Sequence, residues 1–113
     1  MHELALSESI VGLLTECAAR EGISRISRVV LEIGIGAAIE PEALAFCFPI
    51  TAAETIAAGA ELVINRIALK ASCDGCGTTY SAATFATCCP ACGSFARSII
   101  AGREMRVVSF DGE

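Results

Sequence analysis

Apolar positions follow two different periods in the first third of the chain. Between Leu4 and about Arg20 they recur every three or four residues. This predicts an amphipathic helix with a buried stripe formed by Leu6, Ile10, Leu13, Leu14 and Cys17. Gly22 is placed to end this helix, because glycine readily adopts the left-handed conformation found after a helix. From Ser27 to Ile35 apolar and polar residues alternate, which predicts a strand with one buried face.

A second helix is predicted to begin at Pro41, because proline is favoured at the first position of a helix. Its apolar face comprises Leu44, Cys47 and Phe48. Pro49 has no backbone N–H and should kink or end the helix. Thr51 and Glu54 have the spacing of a capping box, which could restart a helix. We predict one kinked helix over about residues 41–54.

Two further strands are predicted at residues 60–69 and 105–110, on either side of a cysteine-rich segment. Strands separated by a compact insertion can still pair, so we expect the last strand to join the sheet formed by the strands that precede the cysteine-rich segment. The predicted fold class is α+β, with two helices packed on a small three-stranded sheet and an inserted four-cysteine module. The expected domains are residues 1–69, completed by the strand in 104–113, and the module at 70–103.

Composition and charge narrow the classes of function. The chain has 113 residues, 54% of them hydrophobic, and no Trp, so we expect a core of small side chains. A formal net charge of −5 argues against a nucleic-acid binder held by phosphate contacts. Residues 70–103 differ, with three basic side chains and one acidic side chain. There is no signal peptide and no apolar run near the ~20 residues that a bilayer needs, so we expect a cytoplasmic protein without membrane association.

Two cysteine knuckles of the same form carry the strongest motif. Cys73-Asp74-Gly75-Cys76-Gly77 and Cys89-Pro90-Ala91-Cys92-Gly93 are separated by 12 residues between Cys76 and Cys89. Two C-x2-C pairs at this separation are typical of a tetrahedral four-thiolate metal site. A reducing cytoplasm disfavours the alternative of two disulfides. The segment is short and polar, so metal binding should supply its folding free energy.

The choice of metal lies between zinc and iron, because rubredoxin-type iron sites use the same knuckles. Few aromatic residues are near enough in sequence to shield an electron carrier, namely Tyr80, Phe85 and Phe95. We therefore favour structural Zn(II) in a zinc-ribbon-like module. Cys88 is expected to be a spare thiol, since Pro90 and Gly93 favour the knuckle formed by Cys89 with Cys92.

His2 is the only histidine and lies next to the α-amine of Met1, which we expect to be retained. The amine, the imidazole and one or two deprotonated backbone amides can form fused chelate rings in one plane. That all-nitrogen arrangement suits Ni(II) or Cu(II) better than zinc. Amine and imidazole must both lose protons first, so binding should weaken as the pH falls below about 7. The alternative is that His2 is an incidental, disordered terminal residue.

Several segments, in order along the chain, resemble the HypA/HybF family of nickel metallochaperones for NiFe-hydrogenase maturation. Besides the two knuckles these are Met1-His2-Glu3-Leu4, Leu31-Glu32-Ile33-Gly34, Glu40-Pro41-Glu42-Ala43-Leu44 and Gly59-Ala60-Glu61-Leu62. The resemblance covers essentially the whole chain. It implies an α+β nickel-binding domain with an inserted zinc domain.

The resemblance also implies roles for particular residues. His2 is similar to the family's nickel ligand, Met1 would supply the amine, and Glu3 would contribute its backbone amide and a side chain used in partner contact. The residues that match the family's zinc ligands are Cys73, Cys76, Cys89 and Cys92. Implied partners are a HypB-like maturation GTPase, the hydrogenase large-subunit precursor that receives Ni(II), and in some organisms urease accessory proteins.

Two other classes of protein remain open at this point. One is a rubredoxin-like electron carrier with iron in the four-cysteine site. The other is a zinc-ribbon adaptor, with His2 incidental, for which the positive charge of residues 70–103 is the supporting feature. An enzyme is not expected, because no nucleophile–base pair can be built around the lone His2. We expect a monomer or a weak homodimer.

Overall fold

The computed structural model describes residues 2–113. Its elements run in the order α1 Glu3–Glu21, β1 Ile26–Gly34, α2 Pro41–Ala52, β2 Glu61–Ile67, β3 Leu69–Cys73, β4 Thr79–Ala82, β5 Arg97–Ala101 and β6 Met105–Gly112. One three-stranded sheet has the strand order β2-β1-β6 and the other has the order β4-β3-β5. The α+β fold class is confirmed, including the return of the last strand to the sheet that contains β1.

The chain divides into two compact units. Unit 1 comprises Met1–Leu31, Ile39–Asn65 and Arg106–Glu113, and unit 2 comprises Glu32–Ala38 and Arg66–Met105. Unit 2 therefore contains the cysteine module together with a short segment that follows the middle of β1. The functional assignment of the two expected domains, nickel to one and zinc to the other, stays a prediction.

In unit 1, α1 packs against α2, and its buried face differs from the predicted stripe. The buried apolar residues of α1 are Ile10, Val11, Leu14 and Ala18. Leu13 is 45% exposed and Cys17 is only half-buried. The face is rotated because Ser7 is fully buried, with its hydroxyl 2.5 Å from that of Thr51 on α2. Gly22 ends α1 in the left-handed conformation, as the sequence predicted.

Helix α2 continues through Pro49 and ends at Ala52, two residues before the predicted end. A second helix does not start at Thr51, since residues 53–60, all described, form turns and a bend. The Thr51 hydroxyl instead donates to the backbone carbonyls of Cys47 and Phe48, at 3.3 and 3.2 Å. The capping-box interpretation of Thr51 and Glu54 is therefore wrong.

Unit 2 is built on a small sheet that the sequence analysis did not predict. The strand predicted at 60–69 is interrupted at Ala68, and β3 begins a separate sheet in which it pairs antiparallel with both β4 and β5. The buried core of this sheet comprises Leu69, Ala71, Cys73, Tyr80, Ala82 and Cys89. Only two of these side chains are both large and unable to serve as metal ligands, so apolar burial contributes little to the stability of the unit.

Glycines let two segments of unit 2 approach closely. The backbone N–H of Gly34 donates to Glu104 at 2.9 Å, and that of Gly36 donates to Gly102 at 2.7 Å. A Cβ atom on Gly34 would overlap the carbonyl group of Gly102.

Across residues 2–113, none of the helices is both long and apolar enough to cross a membrane.

Candidate metal centres

The two knuckles bring four cysteine sulfurs together. The sulfurs of Cys73, Cys76, Cys89 and Cys92 all lie within 4.8 Å of one another. Two of the pairs, Cys73 with Cys92 and Cys76 with Cys89, are separated by 3.5 and 3.7 Å. A tetrahedral zinc site with Zn–S bonds of about 2.3 Å has sulfurs about 3.8 Å apart. The cluster thus has the dimensions of a four-thiolate metal site.

Each knuckle repeats the same backbone turn. Gly77 donates its N–H to the carbonyl of Cys73 at 2.9 Å, and Gly93 donates to that of Cys89 at 2.8 Å. Both glycines have a positive φ, 80° and 76°, which residues other than glycine rarely adopt. This is why a glycine follows the second cysteine of each C-x2-C pair, and why the spacing in the sequence was sufficient to predict the cluster.

Two thiols of the cluster have a lowered pKa, and a third has a raised pKa. The hydroxyl and the backbone N–H of Thr78 lower the pKa of Cys76 to about 6. The backbone N–H of Cys76 lowers the pKa of Cys73. At Cys92 the backbone N–H of Ser94 also acts to lower the pKa, but the sulfurs of Cys73 and Cys76 outweigh it and raise the pKa to about 12.

This division has a simple electrostatic cause. Four thiols within 4.8 Å cannot all become thiolates unless a cation offsets their mutual repulsion. A divalent ion would remove that repulsion and release the remaining thiol protons on binding. The four residues therefore fit a divalent, thiophilic metal ion.

The other cysteines lie outside the cluster. Cys88 is half-buried, and within residues 2–113 all seven cysteines are free thiols. The loop before Cys88 is held by Arg97, whose guanidinium donates to the carbonyl oxygens of Thr87 and Phe85. Cys17 and Cys47 are on α1 and α2. The sequence interpretation of Cys88 as a spare thiol stays a prediction.

At the other candidate centre, His2 is exposed and occupies the N-cap position of α1, and its carbonyl accepts a hydrogen bond from the N–H of Leu6 at 2.8 Å. The expected amine donor, Met1, lies outside the described residues. Within the described residues, the four cysteines are the only group of three or more histidine, cysteine, aspartate or glutamate side chains placed to hold a metal. A nickel site at His2 would therefore depend on backbone and terminal nitrogens.

Glu3 has a structural contact that the sequence did not reveal. Its side chain is buried, and its carboxylate accepts a hydrogen bond from the backbone N–H of Glu40 at 3.1 Å. This contact lowers the pKa of the Glu3 carboxyl. Since Glu40 is the N-cap of α2, Glu3 connects the first turns of the two helices. The contact spans 37 residues, which is why no local pattern could have indicated it.

A protein-family model described as "Hydrogenase/urease nickel incorporation, metallochaperone, hypA" matches residues 1–112. The chain belongs to the HypA family. The resemblance seen in its sequence motifs is thereby confirmed.

Curated relatives are similar in sequence to this chain over nearly their full length. A hydrogenase maturation factor HypA from Chlorobium limicola is 46% identical over 109 residues, covering 96% of this chain and 94% of the relative. A hydrogenase maturation factor HybF from Klebsiella pneumoniae is 41% identical, with 100% of both chains covered.

Solved structures show the same fold for this HypA-family chain. The solution structure of the Ni metallochaperone HypA from Helicobacter pylori matches with a TM-score of 0.69 at 27% identity, covering 99% of this chain and 97% of that one. The α+β fold is thus shared with a HypA protein of known structure.

Proposed function

We propose that this chain is a nickel metallochaperone that binds Ni(II) at its N-terminus and delivers it to the large-subunit precursor of a NiFe-hydrogenase, with no catalytic turnover of its own. The single observation that carries the proposal is the match of the nickel-incorporation family model to residues 1–112. The exposed position of His2 at the start of α1 supports it, because a site that hands on its metal must be open to the recipient.

The nickel ligands we propose are the α-amine of Met1, the imidazole of His2 and backbone amide nitrogens of His2 and Glu3. The first backbone hydrogen bond of α1 runs from the N–H of Leu6 to the carbonyl of His2, so deprotonating the amides of His2 and Glu3 would leave the backbone hydrogen bonds of the helix in place. The Glu3 carboxylate contacts the N–H of Glu40. We therefore assign that side chain first to holding the helix start in place, with partner contact as a further role.

The four-cysteine cluster is proposed to hold structural Zn(II) through Cys73, Cys76, Cys89 and Cys92. With all four positions filled by protein thiolates, such a site has no open coordination position and is not catalytic. Zinc with four thiolates carries a charge of about −2. The three basic side chains and one acidic side chain of residues 70–103 would offset that charge.

We further propose that the first unit carries the nickel and the second the zinc. The proposed partners are a HypB-like maturation GTPase, the hydrogenase precursor and, in some organisms, urease accessory proteins. Neither nucleic acid nor membrane is a proposed partner. The proposed site of action is the cytoplasm, and the chain would act as a monomer or weak homodimer.

The test is complementation of a strain that lacks its own HypA. Wild-type protein should restore hydrogenase activity at low external nickel, and His2→Ala should not. Excess nickel should rescue the His2→Ala strain, because only metal delivery is lost. Cys88→Ser serves as a matched control and should behave as wild type. Full activity with His2→Ala at low nickel would contradict the proposal.

A further inference from the structure

The outward face of α2 is apolar, although the helix already buries a full apolar face. Leu44, Phe48 and Ala52 are buried in unit 1. On the opposite face Phe46 is 73% exposed and Ile50 is 60% exposed. A helix that is hydrophobic on every side is normally covered on every side. This one, within the described residues, is covered on one side only.

The exposed positions of α2 form one continuous stripe at a spacing of three and four residues. They are Glu42, Ala45, Phe46, Pro49 and Ile50. Large apolar side chains grouped on one surface, and not scattered singly, indicate a site of protein interaction.

Pro49 gives this stripe a polar feature at its centre. In a regular helix the N–H of residue 49 would donate to the carbonyl of Ala45, and proline has no N–H. Pro49 thus leaves the carbonyl of Ala45, an exposed residue between Glu42 and Phe46, without its helical donor. Pro49 therefore removes one hydrogen bond from the helix and leaves a backbone acceptor beside two exposed apolar side chains.

The charged residues next to the stripe in sequence are both acidic. Glu42 lies one turn before Phe46 on α2, and Glu54 lies in the turn that follows the end of α2, both exposed. Helix α2 contains no Lys, Arg or His. Two copies of this face would place carboxylates against carboxylates, which disfavours self-association through it. A basic partner is favoured on the same ground.

We propose that the outward face of α2 is a docking site for an amphipathic helix of a partner protein. The partner helix packs its apolar side chains on Phe46, Pro49 and Ile50, and its flanking Lys or Arg side chains meet Glu42 and Glu54. One of these cationic side chains donates to the Ala45 carbonyl. None of these residues is a proposed metal ligand, so the docking proposal can be tested independently of the nickel proposal.

The test uses the zinc-loaded full chain, labelled with 15N, and three synthetic amidated peptides of about 18 residues, enough for five helical turns. The first has leucines at helical spacing flanked by lysines. The second has glutamate in place of lysine, and the third has serine in place of leucine. Amide shifts on titration report both where and how strongly each peptide binds.

The lysine–leucine peptide should shift the amides of Phe46 and Ile50. The two control peptides should bind roughly tenfold more weakly or worse. Phe46→Ser combined with Ile50→Ser should weaken the first peptide by roughly tenfold or more. Leu13→Ser combined with Val108→Ser is the matched control, since Leu13 and Val108 are 45% and 46% exposed elsewhere on unit 1. That variant should bind as wild type.

Two further variants keep the test decisive. Glu42→Lys changes no apolar contact and should shift preference towards the glutamate peptide. Pro49→Ala should raise thermal stability while weakening the lysine–leucine peptide, because it returns an N–H to the Ala45 carbonyl. Nickel titration and far-UV circular dichroism of every variant should match wild type.

The proposal is overturned if the lysine–leucine peptide fails to bind at millimolar concentration, shifts residues away from α2, or binds no better than the glutamate peptide. It is also overturned if sedimentation shows a wild-type dimer that Phe46→Ser with Ile50→Ser converts to monomer. That result would assign the face to a second copy of the chain.

Discussion

Loss of one cysteine ligand should unfold unit 2 and leave the helices of unit 1 intact. The change is Cys73→Ser, at the end of β3, where the side chain is buried and belongs to the proposed zinc site. The prediction rests on the size of the two contributions that hold unit 2 together, the metal and the apolar core.

The apolar contribution is small. Leu69 and Tyr80 are the only large side chains in the buried core of unit 2, and Ile35 and Ile99 are partly buried against it. Full burial of two such side chains contributes about 3–6 kcal/mol. Structural Zn(II) contributes about 10–16 kcal/mol at neutral pH in comparable small domains. A segment of this length without its metal therefore lacks the free energy to order its backbone.

The assay is bound zinc by mass spectrometry, read together with an amide NMR spectrum. Cys73→Ser should lose its zinc and the dispersed amide resonances of Arg66–Met105. Resonances of α1 and α2 should remain, because their buried residues are in unit 1. Cys88→Ser is the matched control, a thiol one residue from a proposed ligand, and should retain one zinc and a folded unit 2.

Retention of zinc and of a folded unit 2 in Cys73→Ser would refute the reasoning. Zinc loss in Cys88→Ser would show that Cys88, and not Cys89, is the ligand. Red protein with stoichiometric iron would favour the rubredoxin-like alternative over the structural zinc proposal.

Three smaller perturbations test the packing and electrostatics. Tyr80 is 8% exposed, and its hydroxyl has no hydrogen-bond partner among the described residues. Tyr80→Phe should therefore leave the free energy of unfolding in urea unchanged or raise it by up to about 1 kcal/mol, and a decrease of more than about 1 kcal/mol would show that the hydroxyl has a partner. Gly34→Ala should destabilise the protein by roughly 1–3 kcal/mol or more, because the new Cβ would overlap the carbonyl of Gly102. Gly12→Ala is the control: its Cβ would meet open space on α1, so it should stabilise the protein by roughly 0.5–1 kcal/mol. Equal effects of the two variants would contradict the overlap. The N–H of Glu40 lowers the pKa of Glu3, so the ionised carboxylate stabilises the fold above about pH 4.5 and loses this effect as the pH falls through the lower pKa of the folded state. The urea midpoint of Glu3→Gln should therefore fall less on acidification than that of the wild type. The same pH profile for both proteins would contradict the contact.

The elements that the sequence predicted are those with a local signature. The period of α1, the alternation in β1 and Pro41 at the start of α2 all reflect interactions within one element. The four-cysteine cluster was predictable for the same reason, because each knuckle is one tight turn closed by its own glycine.

Features that depend on distant residues were missed. Ser7 is buried because Thr51 lies opposite it, 44 residues away, and this rotates α1 relative to the predicted stripe. Glu3 meets Glu40 across 37 residues. Strands β3, β4 and β5 are only four or five residues long, so the alternation of their more and less buried positions is too short to predict a strand from the sequence. Their character as strands depends on pairing with one another, which joins segments that are distant along the chain.

The most direct test of the central claim is a titration of zinc-loaded protein bearing its native terminus with Ni(II). His2→Ala and an N-acetylated form are titrated in parallel, and since His2 is the only histidine no other imidazole can compete. Wild-type protein should bind about one Ni(II) per chain with the spectrum of a planar nitrogen site, and both altered forms should lose it. Binding should weaken as the pH falls below about 7, as the nitrogen donors take up protons. Equal nickel binding by all three forms would contradict an N-terminal site.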